Sequence, residues 1–222
     1  AAIESNLEKE VWIKNAELFF DNNEVLRVSI DEREPIARVF SFSGNSFYID
    51  SSLKVLPLSD KFSARLPVFT GFTHDPAFLS KADSSLLASI KEISMALQAD
   101  SFLMAMIEQV DITPQRSFEM IPKIGNQLIV FGEADDVAGK FKKLKMFYKA
   151  VITQTGWSKY SMINLQYKNQ VVAKIKDEAD KTSDSLKAFQ MMQLIAARAA
   201  KQAADSVHFL APDNDRTTTD SS

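Results

Sequence analysis

The sequence predicts an α+β fold, in which a small N-terminal part precedes a mixed β-domain with flanking helices and a C-terminal helix. Segments of alternating polar and apolar residues recur from residue 16 to residue 176, which is typical of strands with one buried face. Three stretches have helical periodicity instead: residues 83–99, 135–152 and 177–206. The chain is 45% hydrophobic and 25% charged, as in ordinary globular proteins.

The N-terminal part is predicted to be a helix followed by a two-stranded hairpin. Apolar residues recur at helical spacing over residues 3–16, and strands follow at 16–20 and 24–32, around a turn at Asp21-Asn22-Asn23. A unit of this size buries too little apolar surface to fold comfortably alone. We therefore interpret it as the back half of a small domain whose front half is missing.

The middle of the chain alternates between strands and a helix. Residues 53–72 are punctuated by prolines and predict an irregular β-region, and residues 83–99 carry a single apolar stripe. Turns are expected at Ser43-Gly44-Asn45 and at Gly125-Asn126. The other strand segments are 36–42, 46–50, 107–112, 117–122 and 123–132.

The helix predicted over residues 135–152 has an apolar face and a lysine face. The apolar face holds Val137, Phe141, Leu144, Tyr148 and Val151. The lysines are Lys140, Lys142, Lys143, Lys145 and Lys149. We interpret them as a solvated face, and the alternative is contact with an acidic partner or with anionic lipid headgroups. The later helix, residues 177–206, is either docked on the core or used to bind a partner, and residues 211–222 resemble a disordered tail.

Composition excludes several classes of function. The net charge of −3 argues against a nucleic-acid-binding protein. The absence of cysteine excludes disulfides and thiolate metal sites. No run of 18 apolar residues is present, so no segment of this sequence is expected to span a membrane. The first residue is alanine, which we interpret as a truncation that removed an upstream segment.

The sequence contains no motif that predicts catalysis, and we expect no metal and no cofactor. His74 and His208 are far apart, and His74 is interpreted as a turn residue beside a helix start rather than as a metal ligand. The acidic pairs Glu32/Glu34 and Asp135/Asp136 are interpreted as solvated faces or helix starts. Hydrolase, metalloprotease, phosphate-loop and dinucleotide-binding motifs are all lacking.

The last predicted strand, residues 171–176, raises the main functional question. It follows a first hairpin arm in which Ile163, Leu165 and Tyr167 alternate with Met162, Asn164 and Gln166. Nothing later in the sequence looks able to pair with it. The edge is either covered by the 177–206 helix or blunted by Lys174 and Lys176, or it is used to accept a partner strand. We favour the second, and expect Val172→Pro to abolish binding without unfolding the protein.

The order of these segments resembles the FtsQ/DivIB family of bacterial cell-division proteins, and is most similar to Bacteroidetes-type members. The stretch VWIKNAELFF…EVLRVSIDEREPIARVF resembles the end of that family's POTRA domain, and FEMIPKIGNQLIVFG followed by INLQYKNQVV resembles its β-domain. The resemblance spans residues 5–176. Individual matching positions are Trp12, Ile13, Glu32, Arg33, Glu34, Pro35, Asp50, Leu66, Pro67 and Gly71.

The resemblance implies a non-enzymatic scaffold of the division machinery. It assigns residues 1–38 to the C-terminal half of a POTRA domain, residues 39–176 to the β-domain, and residues 177–222 to a C-terminal helix and tail. It also implies a single-pass inner-membrane protein, with this chain in the periplasm at the septum and its anchor in a segment absent here. The alternative is a POTRA-bearing assembly or chaperone module that binds outer-membrane protein strands.

The resemblance also implies partners and a docking site. FtsB/FtsL-like proteins would add a strand to the last β-strand, and upstream division components would contact the POTRA part. The site residues would be Gln166, Tyr167, Lys168, Asn169, Gln170, Val171, Val172, Ala173, Lys174 and Ile175. Two positions depart from the family: Gln166 replaces a frequent basic residue, and Asn169-Gln170 replaces the usual glycine. Asn169 is expected to supply the left-handed backbone there.

Overall fold

The computed structural model describes residues 2–59, 65–75 and 79–177, and the described residues up to Lys176 pack as one unit. Their architecture is a nine-stranded mixed sheet, a separate two-stranded ribbon and a few helices. The predicted α+β class is therefore confirmed. The helix predicted over residues 177–206 and the tail after it lie outside the described residues.

The N-terminal part consists of α1 (Ala2–Leu7), β1 (Ile13–Phe20) and β2 (Leu26–Glu32). The prediction of a helix over residues 3–16 is wrong beyond the first turns, because β1 begins at Ile13. Residues 13–20 alternate in polarity, and pairing with β2 satisfies their backbone groups. The two strands place apolar side chains opposite each other in the pairs Ala16–Ile30, Leu18–Val28 and Phe20–Leu26.

Four strands follow: β3 (Pro35–Ser41), β4 (Ser46–Asp50), β5 (Val55–Leu56) and β6 (Val68–Phe72). β3 and β4 form the predicted hairpin, and Gly44 adopts a positive φ of 90° in its turn. Proline is tolerated at the first residue of a strand, where Pro35 lies. The predicted domain boundary between residues 38 and 39 falls inside β3, and the domain ranges stay a prediction.

The next elements are α2 (Lys81–Gln98), α3 (Ser101–Met106), β7 (Ile107–Ile112), β8 (Phe118–Pro122) and β9 (Leu128–Gly132). The prediction of α2 is confirmed, and its predicted apolar stripe is buried. α3 was not predicted. It begins where the Asp100 side chain accepts hydrogen bonds from the N–H groups of Phe102 and Leu103, which is a standard helix cap.

The last described elements are α4 (Val137–Phe147), a π-helical turn (Tyr148–Ile152), the single turn α5 (Thr153–Thr155), β10 (Tyr160–Asn164) and β11 (Val172–Ile175). The helix predicted over residues 135–152 is confirmed, with Asp136 as its N-cap. Its predicted apolar face is buried except for Val151, which is half-buried, while Ile152 is fully buried.

The large sheet has the strand order β11-β10-β9-β8-β7-β6-β3-β4-β5. The pairs β3–β6, β6–β7 and β9–β10 are parallel, and the other neighbours are antiparallel. The helices of the β6–β7 and β9–β10 crossovers pack against the sheet and bury one continuous core. The largest fully buried side chains include Phe47, Phe69, Phe72, Phe118 and Phe131. Burying each aromatic ring contributes roughly 1.5–3 kcal/mol of hydrophobic stabilisation.

Among the helices of the described ranges, none combines the length and the apolar character that crossing a bilayer requires.

Candidate functional site

The nine-stranded sheet ends in an exposed strand, β11. β11 pairs with β10 on one side, and within the described residues no strand pairs with its other side. Its side chains are largely open to solvent, with Val172 40% and Ile175 60% exposed. The predicted last strand over residues 171–176 is thus present in slightly shortened form, at the edge of the sheet. We call residues 172–175 the docking edge.

The hydrogen bonds around β10 reveal which backbone groups of the docking edge point outward. The N–H of Lys176 donates to the carbonyl of Lys159 at 2.9 Å, so Lys176 faces β10. Backbone groups alternate in direction along an antiparallel strand. The backbone N–H groups of Val172 and Lys174 therefore also point toward β10, whereas those of Ala173 and Ile175 point away from the sheet. A proline at position 172 would remove an internal hydrogen-bond donor rather than an outward one.

The other side of β10 supports this assignment. The N–H of Leu165 donates to the carbonyl of Val130 at 2.9 Å, so Leu165 faces β9. Asn164, one residue earlier, then faces β11, and it lies directly opposite Val172 in the register. The β9–β10 and β10–β11 pairings therefore give the same answer: the backbone groups of Asn164 and Val172 point toward each other.

The chain between the two strands, residues 165–171, forms what we call the docking turn. It begins at Leu165, which is fully buried, and ends at Val171, which packs half-buried against the core. Asn169 has a φ of 60°, so the prediction that it adopts the left-handed conformation is confirmed. The alternation of Ile163, Leu165 and Tyr167 does not continue as a strand to Tyr167, because β10 ends at Asn164 and Tyr167 is 48% exposed.

Gln166 is held against the ends of β9 and β10. Its N–H donates to Asn164 Oδ1 at 2.9 Å, and Asn164 Nδ2 donates to Gln166 Oε1 at 3.2 Å. Gly132, whose φ is 79°, makes room for it, since a Cβ there would lie 2.6 Å from Gln166 Cγ. Gln166 is thus a side chain folded back onto the sheet.

Lys143 of α4 contacts the docking turn, which the sequence did not indicate. Its ammonium donates to the carbonyls of Leu165 at 2.8 Å and Tyr167 at 2.7 Å. Backbone carbonyls more than twenty residues away leave no pattern in a sequence, so only the fold could reveal this contact. The ten predicted site residues span the docking turn and β11, and Lys143 is a helix residue beside them that prediction missed.

Two other lysines of α4 also have partners within the chain. Lys140 is 3% exposed, donates to the carbonyl of Glu133 at 2.9 Å and forms an ion pair with Asp135. Lys145 forms an ion pair with Asp100. The interpretation of the five lysines as a solvated face is therefore wrong for Lys140, which is buried, and for Lys143, which is half-buried, whereas Lys142, Lys145 and Lys149 are exposed.

His74 lies beside a helix start, as expected. Its Nδ1 is 3.0 Å from Oδ2 of Asp83, a fully buried carboxylate in the first turn of α2. Burial alone favours the neutral acid, yet hydrogen bonds from Ser80, His74 and Arg116 hold the pKa of Asp83 well below its usual range. Across the described ranges, no three histidine, aspartate or glutamate side chains group as metal ligands.

The Glu-Arg-Glu-Pro segment joins the ribbon to the sheet. Arg33 Nη1 donates to Asp50 Oδ2 at 2.9 Å, and the Arg33 N–H donates to the carbonyl of Trp12 at 2.8 Å. Burial opposes ionisation of Asp50, but hydrogen bonds from Ser52, Lys54 and Arg33 lower its pKa. Trp12, Arg33 and Asp50, three of the positions that carry the family resemblance, are thus linked by hydrogen bonds where the ribbon meets the sheet.

Comparison with known families agrees with this arrangement. A model of the family described as "FtsQ/DivIB, C-terminal related" matches residues 34–174, which is more than half of the chain. The chain therefore belongs to this FtsQ/DivIB-related family of cell-division proteins, and the resemblance seen in the sequence is confirmed. The matched range includes Asp50, Gly71 and the docking turn. No curated protein matches the chain.

Proposed function

We propose that this chain is a non-enzymatic scaffold of the cell-division machinery whose docking edge receives one strand from an FtsB/FtsL-like partner. The observation that carries the proposal is the outer side of β11, where the N–H groups of Ala173 and Ile175 face away from the sheet. Membership of a cell-division family supports the choice of partner. Strand addition needs no catalytic group, because its affinity comes from main-chain hydrogen bonds.

The exposed side chains of the docking edge suggest what the partner strand contains. Each main-chain hydrogen bond contributes a net 0.5–1.5 kcal/mol, roughly, so a short added strand also needs side-chain contacts to bind stably. Val172 and Ile175 offer apolar surface, and Lys174 lies exposed between them. We expect a partner segment with apolar residues near Val172 and Ile175.

The rest of the proposal concerns location and the N-terminal part. Residues 1–38 act as the C-terminal half of a POTRA domain that contacts upstream division components. The chain lies in the periplasm at the septum and is attached to the inner membrane by a single-pass segment outside this sequence. Family membership supports these assignments.

The test is titration of a fluorescently labelled peptide, taken from the membrane-distal end of an FtsB-like protein of the same organism, onto the full chain and two proline variants. Ala173→Pro and Ile175→Pro each remove one outward N–H, and proline is tolerated on an edge strand where that group faces solvent. We expect each variant to raise the dissociation constant at least about tenfold, because it removes a main-chain bond and disturbs its neighbours. Fluorescence anisotropy measures the constants.

A matched control separates the outer side of β11 from its inner side. Val172→Pro removes a donor that faces β10, so this variant is expected to lower stability toward urea, whereas the two outward variants are not. Unchanged affinity in folded Ala173→Pro and Ile175→Pro proteins would contradict docking at this edge. Similar affinity for many unrelated alternating peptides would contradict a dedicated scaffold and favour a chaperone-like module.

A further inference from the structure

The docking turn is long, and the strand pairing beyond it is short. Residues 165–171 separate β10 from β11, and the two strands share only four paired positions. A hairpin arm with so few pairs at the edge of a sheet is marginally stable by itself. Contacts that fix the docking turn therefore decide how much of the time β11 is held in place.

Lys143 is well placed to supply such a contact. The neighbouring α4 residues Phe141 and Leu144 are 3% and 0% exposed, so the helix backbone at Lys143 is anchored in the core. An ammonium group carries three donors, and two of them reach the carbonyls of Leu165 and Tyr167. These carbonyls flank Gln166, at the point where the chain leaves the sheet. The contact therefore ties the beginning of the docking turn to α4.

We propose that Lys143 is a positioning residue that holds the docking turn so that β11 presents its outward backbone groups to a partner strand. This inference rests on the proposed function, since it assigns Lys143 a role at the same edge. Lys143 holds the turn from α4, while Asn164 holds Gln166 from the sheet through two hydrogen bonds. Without the ammonium, the turn keeps only the second of these contacts.

The first experiment measures hydrogen exchange in the unliganded full chain. Lys143→Met keeps the aliphatic stem of the side chain and removes the ammonium. We expect the amides of Gln166, Val172 and Lys174, which have partners within the turn or face β10, to exchange about tenfold faster, because hydrogen bonds to a charged group are lost and the segment opens more often. Amides of α2 should keep their wild-type rates. Lys143→Arg retains several donors and is expected to restore slow exchange.

The matched control is Lys142→Met, which removes one positive charge from the adjacent, exposed position of α4. Exchange in residues 166–175 should stay at the wild-type rate in this variant. An equal effect of Lys142→Met and Lys143→Met would show that net charge, rather than the contact with the docking turn, controls the segment. Such a result would overturn the proposal.

The second experiment measures association and dissociation rates of the labelled FtsB-like peptide. If the docking edge is present for a smaller fraction of the time, the association rate constant falls by that fraction. If Lys143→Met raises the released fraction of β11 from about a tenth to most of the molecules, exchange speeds up about tenfold and the association rate constant falls about five- to tenfold, with less than about a twofold change in dissociation, and Lys143→Arg restores it. If Lys143 only stabilises the fold, Lys143→Met would lower the melting temperature and leave both rate constants unchanged.

The outcomes separate this inference from the proposed function. Binding by the wild type with no change of exchange or association rate in folded Lys143→Met overturns the positioning role alone. Faster exchange with an unchanged association rate shows that Lys143 orders the turn but has no role in docking, and also overturns it. Absence of wild-type binding refutes the docking edge itself, and the role of Lys143 in docking fails with it, whatever the exchange experiment shows.

Discussion

Asp83 is the residue whose removal should disturb the fold most directly. It is fully buried at the start of α2, where its Oδ2 accepts from the backbone N–H of Ser80 at 2.8 Å and from the Ser80 hydroxyl at 2.6 Å. Oδ1 accepts from Arg116 at 2.9 Å. The carboxylate also lies near the N-terminal, positive end of the helix dipole. One side chain thus caps a long core helix and fixes two loops to it.

We expect Asp83→Asn to lower the free energy of unfolding by about 2–4 kcal/mol, because it removes a buried charge whose hydrogen-bond partners stay behind. Urea titration followed by circular dichroism measures the change. The control is Glu92→Gln, an exposed carboxylate on the same helix, which should change stability by less than about 0.5 kcal/mol. Equal effects of the two substitutions would contradict the role of Asp83.

Among the elements, β6 depends on a glycine that touches the neighbouring backbone. Gly71 has a φ of 81°, and a Cβ there would lie 2.5 Å from the carbonyl oxygen of Ile112 in β7. No side-chain rotation can relieve that contact. Gly44 offers a comparison, since its φ is 90° but a Cβ added there meets no atom within 4 Å. The two glycines separate backbone strain from steric conflict.

Gly71→Ala is expected to destabilise the protein by about 2–4 kcal/mol, since left-handed strain adds to the displacement of β7 from β6. Gly44→Ala carries the strain alone and should cost about 1 kcal/mol. Chemical denaturation of both variants gives the comparison. If the two substitutions prove equally mild, β6 and β7 are not packed as closely as the structure has them.

The elements also show where prediction from sequence succeeds and where it stops. α2 was predictable because its apolar stripe is long and regular, and the Asn169 turn because few residues tolerate positive φ. The start of β1 was missed because a few apolar residues at helical spacing compete with alternation, and pairing with β2 decides between them. The capping box formed by Ser80 and Asp83 is a sequence pattern that would have predicted where α2 begins.

The candidate site also has a part that the sequence predicts and a part that it does not. The position of β11 follows from sequence, because nothing later in the sequence looked able to pair with it. The direction of its backbone groups and the contact of Lys143 with the docking turn do not follow, because both depend on register and on how α4 packs. Contacts between a side chain and a distant carbonyl carry no residue-type pattern that a sequence could display.

At the scale of the whole molecule, buried and hydrogen-bonded carboxylates tie stability to pH. Hydrogen bonds and nearby lysines or arginines lower the pKa of a set of aspartates below the ordinary value: Asp21, Asp50, Asp75, Asp83, Asp100 and Asp135. Because each folded-state pKa is lower than the unfolded one, the unfolded chain binds more protons in acid. These groups stabilise the fold fully above the unfolded value, about 3.9, and progressively less below it.

We therefore expect the free energy of unfolding to be nearly constant, as far as these aspartates determine it, from about pH 7 down to about pH 5, and to fall steeply below about pH 4. Asp83→Asn should have a flatter profile than the wild type. An asparagine mimics the protonated acid, so the stability difference between the two proteins should shrink as acid protonates Asp83 in the unfolded chain and then in the folded one. Urea titrations at a series of pH values measure both profiles. Parallel profiles down to the lowest pH at which both proteins fold would mean that folding does not lower the pKa of Asp83.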